Sequence, residues 1–221
     1  MLDQLIIGTN RSYDDFEASV KERKIVDGKK KVIKESVPFS NVVYDFSKIN
    51  GEFYWEEKNL QYTFEITANN PEELADKIIV FKLWVMNTAS EDLHDPYISD
   101  YHFIATFSDI SVDESEVDKA TIVVTFTAYP YMIANVPKTI SCQMTANKAS
   151  KLVFSNISSH RVVPTFNSNV PFNLTYGTAT FSVLDGETTD DYFKFEPGLI
   201  EITLESTKDG TVTITFYEEV F

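Results

Sequence analysis

A chain of 221 residues with 43 % hydrophobic and 24 % charged residues can fold as one large or two small domains, and is too apolar to be disordered throughout. Its 34 acidic and 19 basic residues give a formal net charge of -15, which argues against nucleic-acid binding, where affinity rests on Lys and Arg, and against a role on anionic lipid. The single cysteine, Cys142, leaves no intrachain disulfide and reads as a small residue packed in a strand.

The N-terminus, MLDQLIIGTN, has no basic region and no long apolar run, so no signal peptide is expected. Nor does any segment approach the roughly 20 apolar residues of a membrane span. Without a secretory signal, the sequons at Asn10, Asn156 and Asn173 read as chance matches. Leu5-Ile6-Ile7 predicts a short strand, turned by residues 8–11. Residues 20–35, VKERKIVDGKKKVIKE, predict a hairpin closed by Asp27-Gly28, because Gly accepts the positive φ that such turns need. Its strands carry Lys21, Arg23, Lys24, Lys29, Lys30, Lys31 and Lys34, a basic element in an acidic protein. Two readings stand: a Lys-rich edge that blocks stray strand pairing, or an arm that touches an acidic neighbouring subunit.

Residues 37–66 predict two aromatic-rich strands around a break at Gly51. Leu60, Tyr62, Phe64 and Ile66 alternate with polar residues, the period of a half-buried strand. Asn69-Asn70-Pro71-Glu72-Glu73 is the best helix start: Asn70 to cap, Pro71 at the first position, two acids at the positive end of the dipole. Leu74, Ile78, Phe81 and Val85 follow on one face, and the helix is expected to end near Asn87, packed on a sheet. Residues 89–96 read as a loop, 101–108 as a strand, 112–119 as an acidic turn and 121–129 as a strand ended by Pro130. Residues 134–138 are the expected linker. Beyond it, short strands are expected near 141–145, 151–155, 165–167, 172–176, 178–184, 191–195, 199–206 and 211–217. Turns at Asp185-Gly186, Pro197-Gly198 and Asp209-Gly210 help to shape a β-sandwich.

No nucleophile elbow, phosphate loop or zinc motif occurs. Asp92, His94, Asp95 and His102 offer ligand chemistry at a spacing that fits no standard metal site, so a solvated loop is the expectation. Residues 185–191 lack the ligand pattern of a calcium loop and read as a solvated turn. No catalytic residue, cofactor or metal is assigned. A glycosidase would need two carboxylates at a defined separation, which 34 acids cannot reveal in sequence. Trp55 and Trp84 are candidates for stacking on sugars, with Trp84 expected in the helix core and Trp55 at a sheet or subunit contact.

Four elements, in order, carry a family resemblance: Ser12-Tyr13-Asp14-Asp15-Phe16; Pro38-Phe39-Ser40-Asn41 with Tyr44-Asp45-Phe46-Ser47; residues 54–64 with Glu56-Glu57-Lys58; and Leu83-Trp84 followed by residues 95–105 and Phe126-Thr127-Ala128-Tyr129-Pro130-Tyr131. Together they resemble the distal tail proteins of long-tailed phages of Gram-positive bacteria, well over the first 130 residues and loosely beyond. Val42-Val43 stands where many relatives have a Gly-containing turn. The resemblance implies a mainly β protein with one helix. Residues 1–134 would be a ring-forming β-sandwich with a helix and an arm hairpin, and residues 139–221 a galectin-like or carbohydrate-module-like β-sandwich. It further implies a structural virion component, not an enzyme: a homo-hexameric ring joining the tail tube protein to a tail-tip protein. Baseplate or receptor-binding proteins are possible further partners. DNA would pass unbound along a negatively charged channel. The protein would be made in the host cytoplasm and reside in the phage tail. The resemblance favours the arm reading of the basic segment, with Lys24, Lys29, Lys30, Lys31, Tyr54, Trp55 and Tyr62 as subunit-interface residues. The alternative is a carbohydrate-binding module for host cell walls, with an aromatic platform in residues 139–221.

Overall fold

The computed structural model describes residues 4–36, 38–39, 41–48, 51–113 and 116–221. Two compact units divide the chain, residues 1–132 and 133–221. It is mainly β, with one helix among the described residues.

Strands β1 (Ile6–Ile7), β2 (Asn10–Arg11), β3 (Ala18–Val26), β4 (Lys34–Ser36), β5 (Val43–Asp45) and β6 (Lys58–Thr67) precede helix α1 (Pro71–Met86). Strands β7 (Glu91–His94), β8 (Tyr101–Asp113) and β9 (Lys119–Ala128) follow it. One antiparallel sheet runs β2-β1-β7-β8-β9-β6-β3, while β4 and β5 pair separately as a small hairpin. The sandwich expected here takes the form of this sheet with the helix as its second layer. Strand β6 is its spine. It pairs with β9 from Lys58↔Ala128 to Thr67↔Lys119, and with β3 through a bulge between Val20 and Glu22. Leu60, Tyr62, Phe64 and Ile66 point inward, as their alternation requires, and meet Leu74, Ile78, Phe81 and Val85 of α1 in one core. Phe64 and Phe81 pack edge-to-face with centroids 5.0 Å apart.

The helix begins where the sequence places it. Asn70 Oδ1 accepts from Glu73 N at 2.9 Å, and Glu73 Oε2 accepts from Asn69 N at 3.1 Å, so each side chain satisfies a free amide at the helix start. The Lys77 ammonium, then the Asn69 donors, hold the Glu73 carboxyl down at about 2.

After β10 (Met132–Ala134), the second unit is built from β11 (Lys138–Met144), β12 (Ala149–Asn156), β13 (Thr165–Ser168), β14 (Phe172–Tyr176), β15 (Ala179–Val183), β16 (Gly186–Thr189), β17 (Gly198–Glu205), β18 (Gly210–Phe216) and β19 (Glu219–Val220). Two four-stranded antiparallel sheets, β11-β18-β13-β16 and β12-β17-β14-β15, face each other across an aromatic core. Phe195, fully buried, lies within 5.2–5.8 Å of the rings of Phe154, Phe193, Tyr176 and Phe216.

Several expectations need correction. Residues 20–35 form no hairpin: β3 pairs with β6, and the chain runs on past Asp27-Gly28 beside residues 54–56. Gly28 is needed for close approach, since a Cβ there would lie 1.8 Å from the Glu56 carbonyl oxygen. The arm hairpin is instead β4–β5, further along the chain. The expected loop at 89–96 contains β7, which closes on β1 and β8. The expected turn at 185–191 contains β16, paired with β13, and the strand expected at 191–195 is a single bridge, Phe195↔Val162. Ser40 of the Pro38-Phe39-Ser40-Asn41 motif and residues 114–115 of the acidic turn lie outside the described residues.

Candidate assembly surface

The arm grows from the end of β3. Val26 is the last residue in register with β6; Asp27 then turns its carboxylate to Lys58 Nζ at 2.9 Å. Lys58 is buried, so this pairing supplies the counter-charge that its burial demands. Past Gly28 the pairing resumes: Glu56 N donates to Lys29 O, and Lys31 N to Tyr54 O, both at 2.8 Å, with Lys30 opposite Trp55. The ammonium groups of Lys30 and Lys48 both lie over the Phe53 ring, cation–π contacts that join the two ends of the arm.

Beyond the base, Phe46 N donates to Ile33 O, and Ile33 N donates to Ser47 Oγ. Asp45 Oδ1 accepts from Ser47 N at 2.9 Å. These Ser47 bonds, and then the nearby Lys34, keep the Asp45 carboxyl below the usual carboxylate range. Strands β4 and β5 are exposed along their whole length. Val32, Ile33, Val42, Val43, Tyr44 and Phe46 present apolar surface there, and Phe39 is fully exposed near the tip. Exposed apolar side chains gathered on a two-stranded hairpin make it a candidate interaction surface.

The seven expected interface residues fall in three places. Lys29, Lys30, Lys31, Tyr54 and Trp55 come together on the adjoining segments of the arm base, with Tyr54 exposed and Trp55 half-buried. Lys24 is exposed on β3, opposite Gln61. Tyr62 is a correction: it has no exposed surface and belongs to the core. Burial, then the Asp95 charge, pushes its hydroxyl far above the ordinary tyrosine range.

The suggested metal residues serve other ends. The Asp95 carboxylate, fully buried, takes both of its oxygens to Arg23 Nε at 3.0 and 2.9 Å, and accepts from Tyr97 N. His94 and His102 stand side by side with ring centroids 5.0 Å apart, and burial, then His102, lowers the His94 imidazole. Among the described residues no three His, Cys, Asp or Glu side chains cluster as a metal site would require. Trp84 stacks on Phe16 at 4.5 Å, a contact that occupies one face of its indole. Among the described residues no helix is long and apolar enough to cross a membrane.

Sequence reasoning missed the apolar part of the arm. Its signal was present in Val32-Ile33 and Val42-Val43-Tyr44, whose alternation does not divide cleanly into a buried and a solvent face. Also missed was a second apolar stripe on α1, formed by Ile79, Leu83 and Met86 with Val80 beside it. The run Ile78-Ile79-Val80-Phe81 carries more apolar surface than a single buried face needs.

No protein-family model and no curated protein matches the sequence. Among solved structures, the crystal structure of the Dit protein (gp 19.1) of phage SPP1 superposes on 98 % of this chain and 99 % of its own, with a TM-score of 0.70 at 9 % identity. The chain has the Dit fold. Dit is described as a paradigm of the hub adsorption apparatus in phages that infect Gram-positive bacteria. Its fold is the one that the resemblance to distal tail proteins implies, and it spans both units. A designed double-stranded β-helix matches 37 % of the chain at a TM-score of 0.27, too low to argue from.

Proposed function

We propose that this protein is a structural hub of a phage tail: a hexameric ring that joins the tail tube to the tail tip and leaves a channel for DNA. The observation that carries the reading is the end-to-end likeness to Dit, across both units and without a large unmatched segment on either side. At this level of identity the likeness speaks for the fold, and the arm adds a reason for assembly. A ring closes through a heterologous contact, in which one surface of each subunit meets a different surface of the next. The arm offers the first of these surfaces, basic at its base, with exposed apolar side chains at Val32 and Ile33 before β4 and at Val42, Val43, Tyr44 and Phe46 in and beside β5. The other partners in this reading are the tail tube protein and a tail-tip protein, with baseplate or receptor-binding proteins attached through the galectin-like second unit. The acid surplus keeps the channel wall negative, so DNA slides past without sticking.

Replacing Lys29, Lys30 and Lys31 together by Glu tests the arm. The expected outcome is a folded chain whose assembly is weakened and is no longer loosened further by added salt, measured by light scattering and circular dichroism. Rings of unchanged stability and salt response from the triple variant would remove the arm base from the interface.

A further inference from the structure

Helix α1 is apolar on two opposite faces. Leu74, Ile78, Phe81 and Val85 fill the core, while Ile79, Val80, Leu83 and Met86 are each 51–59 % exposed. Glu72, Asp76, Ile79, Leu83 and Met86 follow at alternating spacings of four and three, so they form one straight outward stripe, acidic in its first half and apolar in its second. A helix apolar on both faces is one that expects cover on both.

We propose that this outward stripe is the seat for the arm of a second copy of this chain. The proposal rests on the ring reading above and names the surface that receives the arm. Its first support is charge. Beside the stripe, Asp15, Glu17 and Asp76 rim an open cavity of about 230 Å³ floored by Phe16 and Val80. Lys77, the cation at that rim, is held by Glu17 at 2.6 Å and Glu73 at 2.9 Å, so the rim faces outward as an acidic surface. The arm carries the complementary pattern at its base, Lys29, Lys30 and Lys31, with apolar Val43, Tyr44 and Phe46 further out, where Lys34 is paired with Asp45 at 3.9 Å. Acid then apolar on the seat meets base then apolar on the arm, which fixes register as well as partner.

The second support is topology. Pairing two α1 stripes about a two-fold axis would close a dimer and leave the apolar arm in water. Arm on helix covers both exposed patches with a single contact, and because the two surfaces differ, it repeats around a ring.

Full-length protein with p-benzoylphenylalanine in place of Leu83 tests the seat by photo-cross-linking and peptide mapping. The expected cross-link joins position 83 to residues 29–46 of another copy, and it falls at least tenfold when Tyr44→Asp and Phe46→Asp are introduced. Complementation gives a second readout. Leu83→Asp alone and Tyr44→Asp/Phe46→Asp alone should each stay monomeric, while a one-to-one mixture should form a dimer through its one intact junction and grow no further. All these positions are exposed, so circular dichroism should match that of the unaltered chain. No cross-link, a cross-link outside the arm, or unimpaired assembly by Leu83→Asp overturns the proposal. Six-membered rings with position 83 cross-linked elsewhere would overturn the seat and leave the ring. Arm-to-helix cross-links in assemblies of another order would uphold the seat and sink the ring.

Discussion

The two units differ in how they group their aromatic residues. In the second, Phe154, Phe166, Phe172, Phe181, Phe193, Phe195 and Phe216 pack on one another between two sheets and close the core from within. In the first, Phe64, Phe81 and Phe126 do the same, but Phe39, Tyr44, Phe46 and Tyr54 stand in solvent on the arm, and α1 turns a second apolar face outward. The difference teaches where in the first unit to look for a contact surface. The second also leaves Leu184, Tyr192 and Leu199 exposed, outside its aromatic core; in the first the exposed apolar side chains gather on the arm and along one face of α1.

Breaking the closed core should cost most. Phe195→Ala removes the ring at the centre of the second unit and should destabilise it by about 3–5 kcal/mol, seen as an early denaturant transition with the helix signal of the first unit retained. A comparable loss is expected in the first unit from Arg23→Met, which strands the Asp95 carboxylate without its cation; about 3–5 kcal/mol follows from an uncompensated buried charge. Adding Asp95→Leu should recover much of it, and a double variant no better than the single would deny the pair this role.

Gly28→Ala sharpens the comparison at the boundary between core and arm. The added Cβ meets the Glu56 carbonyl, so the arm base must part from residues 54–56. A cost of about 1–3 kcal/mol is expected. Amide exchange should quicken at Lys31 and Glu56 while β6 stays protected. Equal acceleration throughout β6 would mean that arm and sheet open as one.

These positions also mark how far the sequence can be read. Strand β14 was legible at both ends because Phe172, Leu174 and Tyr176 alternate cleanly, and α1 was legible at its start because Asn70 and Pro71 have one natural place there. Asp27-Gly28 misled because a hairpin turn and a close backbone approach both call for Gly, and only the partner strand tells them apart. Tyr62 misled for a related reason: alternation puts it on one face with Leu60 and Phe64 but does not say which face is the core. Arg23 and Asp95 lie 72 residues apart, beyond any local pattern. Of the candidate surface, the basic half was visible as a Lys run, while the apolar half needed the structure to show that it stays uncovered.

The smallest expected effect concerns pH. Lys119 and Lys21 both hold Glu65 on β6, at 2.7 and 2.9 Å, and their hydrogen bonds lower its carboxyl from the ordinary 4.5. A carboxyl lowered on folding adds stability above its unfolded value and loses it as pH falls through the folded one. Between about pH 5 and pH 3 the melting temperature of the wild type should therefore fall further than that of Glu65→Gln, by an amount equivalent to under about 1 kcal/mol for so exposed a pair. Parallel curves would show that the lysines contribute nothing.

The central claim is that the first unit is incomplete alone and closes into a ring. Light scattering of the wild-type chain across concentration, with negative-stain images of the same sample, tests it most directly. The account predicts annular particles near about 151 kDa, six chains of 25.2 kDa each. A strictly monomeric chain at millimolar concentration, or a two-fold dimer that grows no further, would contradict it.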